Sequence, residues 1–289
     1  MMLTKETLWK KLQHGAVLLD GATGSNLMKA GMPRGCCTEE WVLANPEKLI
    51  ALQRAYVSAG SQIIYAPTFQ AQPIALERVG LHKQTEAVNA HLAALSKSVS
   101  SDVLVAGDLT TLAAYTDSWD PAKFDLLVEN YRRQIKGLLD GGVDLLAAET
   151  LMYPQEAEAI LTAAELEGAS CCIYTFTMQS DGSLFSGMDA GPVLKSLEDA
   201  GAAAVGFNCV AADAFTPGLV SKLRRYVRCP IVCKPNAGIP VIGEDKLPHY
   251  PMEPDEFGAI MKDCREMGAS LIGGCCGTDP RFIATLANL

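Results

Sequence analysis

The chain has 289 residues, with 24 Lys and Arg against 33 Asp and Glu and a formal net charge of −9. Phosphate backbones bind by releasing counterions to Lys and Arg clusters, so an acidic chain is not expected to take nucleic acid or an anionic membrane as partner. Hydrophobic residues make up 49% and charged ones 20%, which supplies a large core and excludes a disordered segment.

The first apolar run, Ala16 to Leu19, ends at Asp20 and is too short for a signal-peptide core. Nothing further on approaches the roughly 18 uninterrupted apolar residues of a membrane span, and a cytoplasmic location is expected. Short β-rich runs then alternate with amphipathic stretches. The runs are Ala16 to Asp20, Gln62 to Pro67, Val103 to Gly107, Val143 to Ala148, Ser170 to Phe176, Ala203 to Phe207, Pro230 to Lys234 and Ser270 to Gly273. Pro suits a first helical turn, which has no N–H to lose. Helices are therefore predicted to begin at Asn45-Pro46, Asp120-Pro121, Tyr153-Pro154, Thr216-Pro217, Glu253-Pro254 and Asp279-Pro280. Gly60, Gly141, Gly168, Gly201 and Gly268 mark where helices should stop. Phe124, Val128, Tyr131, Ile135 and Leu138 recur at helical spacing as one buried stripe. Gln70 to Gly80 reads either as loop or as a short extra helix.

Strands that are apolar throughout are buried on both faces, as in a parallel sheet covered by helices. Eight βα units with no linker between them predict an α/β fold, a single (β/α)8 TIM barrel spanning residues 1–289. Asn236 to Pro254, with Pro240, Pro248 and Pro251 inside it, is a long loop after the seventh strand, where barrels tend to carry function.

Such a barrel places its chemistry where strands run into the following loops. The residues there are Asp20, Thr68, Asp108, Glu149, Thr177, Asn208-Cys209, Asn236 and Cys275-Cys276. Three carboxylates and three cysteines thus converge on one rim. Adjacent strand residues point to opposite faces, so Cys275 and Cys276 share an ion with Cys209 only if the chain bends there. Gly273, Gly274 and Gly277 supply that freedom. Three thiolates with one open position describe a catalytic Zn2+ site, not a closed structural one. Three sulfur ligands leave the ion a weak Lewis acid toward water, which disfavours hydrolysis and suits a fourth thiol that is deprotonated on binding. No histidine pairs with Cys or Ser in sequence, and there is no P-loop, G-x-S-x-G or G-x-G-x-x-G. The other cysteines read as packing: Cys171-Cys172 in the fifth strand, Cys264 on a helix, Cys36-Cys37 in the first loop. Cys229 and Cys233 would lie about 13 Å apart on a strand, too far to share an ion.

The segments Asp20-Gly21-Ala22-Thr23-Gly24, Ala147-Ala148-Glu149-Thr150, Gly206-Phe207-Asn208-Cys209, Lys234-Pro235-Asn236-Ala237-Gly238 and Gly273-Gly274-Cys275-Cys276-Gly277-Thr278 resemble those of the zinc-dependent homocysteine S-methyltransferases. The resemblance runs from Leu18 to Pro280. It implies that Cys209, Cys275 and Cys276 hold zinc and that the sulfur of homocysteine takes the fourth position. It implies too that Asp20 and Glu149 bind the substrate ammonium, with backbone N–H groups near Gly24 for the carboxylate. Asn236 matches a position that occupies zinc when substrate is absent. Asn208 joins the substrate-binding set, and like Thr68 it is read chiefly as orienting its neighbours. Asp108 receives no role.

Subgroups of the family differ in methyl donor. The stretch Lys234 to Pro240, with Tyr250-Pro251, looks most like the homocysteine module of cobalamin-dependent methionine synthase. The chain has no Asp-x-His-x-x-Gly cobalamin-binding segment, so the donor is expected to be methylcobalamin or a separate methyl-corrinoid protein. The alternatives are a sulfonium donor, S-methylmethionine, and a non-catalytic thiol- or zinc-binding barrel. A lyase using Lys234 as a Schiff-base amine has a rationale but leaves the three cysteines unexplained.

Overall fold

The computed structural model describes residues 2–113, 121–244 and 248–289. Eight strands form one parallel sheet: β1 (Val17–Leu18), β2 (Ile63–Tyr65), β3 (Leu104–Thr110), β4 (Leu145–Leu151), β5 (Cys172–Phe176), β6 (Ala204–Ala211), β7 (Ile231–Asn236) and β8 (Ala269–Ile272). They neighbour one another in chain order, and β8 returns to pair with β1. This is the expected (β/α)8 barrel.

The β1–β2 junction closes without a continuous ladder. The Gln62 amide donates to Leu18 O at 2.8 Å, and Leu18 N donates to Gln62 Oε1 at 3.0 Å. Tyr65 N donates to Asp20 Oδ2 at 2.8 Å. Side chains therefore do in this seam what backbone does elsewhere.

A period of two sorts each strand into an inward and an outward stripe. Val17, Leu19, Ile63, Tyr65, Ala106, Leu145, Ala147, Ile173, Ala204, Val232 and Leu271 share one buried cluster with Leu8, on the helix Lys5–Leu12 that closes the floor. Burying each larger aliphatic member contributes about 1.5–3 kcal/mol. Two or four residues further along the same stripes stand Asp108, Glu149, Thr175, Asn208, Lys234 and, past β8, Cys275, all buried. The interior is apolar below and ionisable above.

Helices beginning at Pro46, Pro154, Pro254 and Pro280, and one with Pro217 in its first turn, match the proline signals. Asp120 lies outside the described residues, and Pro121 opens a 3-10 turn before the helix Phe124–Asp140. That helix does not stop on a left-handed Gly141. Gly141 keeps a helical φ of −77° and Gly142 takes φ 80°. Gly141 is needed for close packing, since a Cβ there would meet Ala90 O at 2.6 Å. Gln70 to Gly80 holds a short helix, Pro73–Leu76, and a 3-10 turn. The long loop after β7 carries an antiparallel ribbon, Val241–Ile242 with Pro248–His249.

Several strands run past their expected ends, which places Asp108, Glu149, Cys209 and Asn236 inside strands and not after them. Polar residues that resemble turn signals continue the ladder here, with Thr110 opposite Glu149 and Asn208 opposite Lys234. Among the described residues no helix is long and apolar enough to cross a membrane.

Candidate active site

Two strands kink where the site begins. Register shifts fall between Ala148 and Leu151 on β4 and between Asn208 and Ala211 on β6. Within them Thr150 (φ 58°) and Cys209 (φ 56°) are the non-glycine residues held left-handed among the described residues. Such a conformation costs on the order of 1–3 kcal/mol and persists only where the surroundings impose it. Asn208 imposes it: its Oδ1 accepts from Thr150 N at 2.7 Å and from Thr175 Oγ1 at 2.9 Å, and its Nδ2 donates to Thr150 Oγ1 at 2.7 Å. On a regular strand Cys209 would face away from Asn208, whereas here its thiol stands at the cavity wall beside Cys275 and Cys276.

Cys275 and Cys276 lie in the turn after β8. Cys275 N donates to Pro235 O at 2.7 Å, Ala237 N donates to Cys276 O at 2.9 Å, and Gly277 takes φ 83°. This is the bend the glycines foretold. A Cβ on Gly274 would sit 2.4 Å from Thr278 Oγ1, so that glycine permits the close approach.

The Sγ atoms of Cys209, Cys275 and Cys276 lie within 4.8 Å of one another. A tetrahedral ion with sulfur at ~2.3 Å needs sulfur–sulfur separations of roughly 3.8 Å, so the trio fits one soft divalent metal after small adjustment. Hydrogen bonds from Cys209 and Cys275, against burial, lower the Cys276 thiol to about 3. Hydrogen bonds to Cys275 and Cys276, with burial, push Cys209 far up. The cluster thus shares protons around one thiolate, the state a cation would displace. Among the described residues no fourth His, Cys, Asp or Glu joins the group. Asn236 Oδ1 is engaged, accepting from Cys276 N at 3.0 Å.

Beside the thiols is a cavity of about 260 Å3 whose wall includes Gly24, Asp108, Glu149, Thr150, Lys234 and the three cysteines. Lys234 Nζ donates to Glu149 Oε2 at 3.0 Å, stands 3.7 Å from Asp20 Oδ1 and lies 4.2 Å from the centroid of the Tyr65 ring. Burial alone would push this ammonium down, but Glu149 and Asp20 hold it well above its usual range. Paired with Glu149 and facing Asp20, Lys234 offers no free amine for a Schiff base, which counts against the lyase reading. Burial raises Asp20 to about 7, opposed chiefly by Lys234, and also raises Glu149 and Asp108.

Not every residue picked from the sequence reaches the wall. Asp20 is 1% exposed and serves the seam behind Lys234, and Asn208 is fully buried under Thr150. Lys234 and Asp108 are cavity-wall positions to which the strand ends alone assign no binding role. Their signal was the period of two, which carries Val232 to Lys234 and Ala106 to Asp108. Cys36 and Cys37 are not in the cavity wall themselves, but Cys37 donates at 3.2 Å to Oε2 of Glu39, which is. Cys171, Cys172, Cys229, Cys233 and Cys264 are buried, as packing residues should be.

A family model described as homocysteine S-methyltransferase matches residues 17–289. The chain belongs to that family. Among curated proteins it is 27% identical to methionine synthase of Mycobacterium leprae (strain TN), over 98% of this chain and 24% of that protein. It is also 27% identical to methionine synthase of Mycobacterium tuberculosis (strain ATCC 25618 / H37Rv), over 96% of this chain and 25% of that one. The chain thus spans about a quarter of the length of these relatives. Among solved structures, the homocysteine methyltransferase MmuM from Escherichia coli superposes with a TM-score of 0.81 in its oxidized form, at 26% identity over 94% of this chain and 95% of that one. Its metallated form gives 0.80, at 26% identity over 95% and 96%.

Proposed function

We propose that this family member, acting through its one barrel unit of residues 1–289, transfers a methyl group to the thiol of homocysteine, giving methionine. The observation that carries the reading is the trio of sulfur atoms at the barrel mouth, three ligands with no fourth acidic, imidazole or thiol group among the described residues, opening on a cavity with buried charge. Cys209, Cys275 and Cys276 would hold Zn2+, which when bound supplies a site where a substrate thiol is deprotonated yet stays nucleophilic.

The chain's own groups do the rest. Asn208 fixes the left-handed Thr150 and hence the wall beside Glu149. Glu149, with Asp20 behind it, provides a negative field for the ammonium of an amino acid, and Lys234 keeps those carboxylates from facing each other unscreened. The helix Gly24–Lys29 begins at the cavity, and its first N–H groups lack intrahelical acceptors, which suits the substrate carboxylate. Asn236, an amide oxygen beside Cys276, fits a displaceable occupant of the open metal position. The cytoplasm is the expected setting, because reduced thiols persist there.

For the donor we favour a methylcorrinoid, methylcobalamin itself or a separate methyl-corrinoid protein. The Lys234 to Gly238 segment and the methionine synthase relatives support it. S-methylmethionine is the second reading, supported by the likeness over nearly both whole chains to a homocysteine methyltransferase of similar size. Zinc-loaded protein incubated with homocysteine and, separately, methylcobalamin, methyl-corrinoid protein, S-methylmethionine or betaine tests all of this. Methionine from either corrinoid supports the favoured donor, methionine from S-methylmethionine alone replaces it, and methionine from none refutes the activity.

A further inference from the structure

Three buried carboxylates, Asp20, Asp108 and Glu149, lie near the buried ammonium of Lys234, and a fourth, Glu39 on the same cavity wall, accepts from Gln70 N and Cys37 Sγ. Asp20 Oδ1 and Asp108 Oδ1 both lack a hydrogen-bond partner, but only the first has Lys234 within ion-pair range. Glu149 pairs with Lys234 at 3.0 Å, and Asp20 spends Oδ2 on Tyr65 N and lies 3.7 Å from Lys234 through Oδ1. Asp108 Oδ1 has no hydrogen-bond partner, although the residue is only 6% exposed. A buried carboxylate left without a partner is expensive, and folds keep such a group chiefly where a ligand completes it.

The Asp108 backbone is clamped, which fixes where its side chain leaves the strand. Its N–H donates to Thr68 Oγ1 at 3.1 Å, Thr68 Oγ1 donates to Asp108 O at 2.9 Å, and Gln134 Nε2 donates to the same carbonyl at 3.1 Å. Asp108 sits opposite Ala147, and Glu149 is one inward step further along β4, so the two carboxylates are neighbours across adjacent strands. Both line the cavity, whereas Asp20 does not.

We propose that Asp108 is a substrate-binding residue that receives the α-ammonium of the aminothiol together with Glu149, and so selects amino acids over plain thiols. This rests on the reading of homocysteine as the thiol substrate. The incoming cation's several N–H groups supply the donor that Asp108 Oδ1 lacks.

The test is isothermal titration of zinc-loaded protein with homocysteine and with 4-mercaptobutanoate, which keeps the thiol, chain and carboxylate but has no amine. Wild-type protein should prefer homocysteine at least tenfold. Asp108→Asn should lose that preference, binding homocysteine at least tenfold more weakly and 4-mercaptobutanoate within twofold of wild type, with zinc content unchanged. Asp108→Ala, measured the same way, covers misfolding of the Asn variant. Undiminished preference in either folded variant, or equal weakening toward both thiols, overturns the assignment while leaving the proposed activity standing. A wild-type protein that binds neither thiol overturns both.

Discussion

The floor and the mouth of this barrel are cut from the same strands, yet they solve opposite problems. On β4, Leu145 and Ala147 pack into the floor, and Glu149, next on the stripe, is a buried carboxylate. On β7, Val232 gives way to Lys234 in the same manner. The floor releases free energy by removing apolar surface from water, and the mouth consumes some of it by keeping charges and two left-handed residues in place. Stability and chemistry are therefore stacked along one axis, and each should respond to substitution almost without the other.

The sharpest break falls at the thiols. Cys209→Ser, Cys275→Ser or Cys276→Ser should each release zinc and reduce methyl transfer to background while the melting temperature moves by no more than a few degrees; metal analysis beside methionine formation checks this, and full activity in metal-free protein would contradict it. On the floor the converse applies. Leu145→Ala should cost about 2–5 kcal/mol in denaturant unfolding and leave zinc stoichiometry intact. Glu149→Gln keeps the shape of the mouth and removes its charge, so homocysteine should bind about tenfold more weakly, roughly 1.4 kcal/mol, with zinc retained. Loss of metal in that variant would show that Glu149 supports the thiols and not the ammonium.

Smaller effects sharpen the contrast. Asp20 has its carboxyl raised to about 7, so the folded state holds a proton that the unfolded chain has already released above pH 4. Its stabilising contribution is complete below that pH and is lost as pH rises toward 7. Melting curves between pH 4 and 8 should show wild-type protein losing stability relative to Asp20→Asn across that window. Chelation should have the least effect, lowering the melting point only slightly, because a barrel of this size carries its own core. Collapse of the whole fold on removing metal would tie floor to mouth.

Much of this architecture was legible in the chain. Proline at helix starts and unbroken apolar runs specify a covered parallel sheet, and paired cysteines beside glycines specify a metal-capable turn. Strand ends were less legible, because Asp108, Glu149 and Asn208 look like loop residues until the inward stripe is followed past its apolar part. Asp20 was only partly legible for another reason. Its position beside Gly21 reads as a site residue, and that position does not reveal that one oxygen is committed to the Tyr65 amide across the seam, a long-range contact with no local signature. Lys234 was undervalued because its partners come from β1 and β4, far away in sequence.

That seam has a consequence for motion. A ring whose other neighbours are joined by strand ladders will breathe first where none forms, and here the latch is one backbone bond from Gln62 N to Leu18 O helped by a carboxylate and an amide side chain. Amide protons of Tyr65 and Gln62 should therefore exchange with solvent sooner than those in the middle of β4 or β6. The breach would open beside the lysine that the latch carboxylate helps to hold.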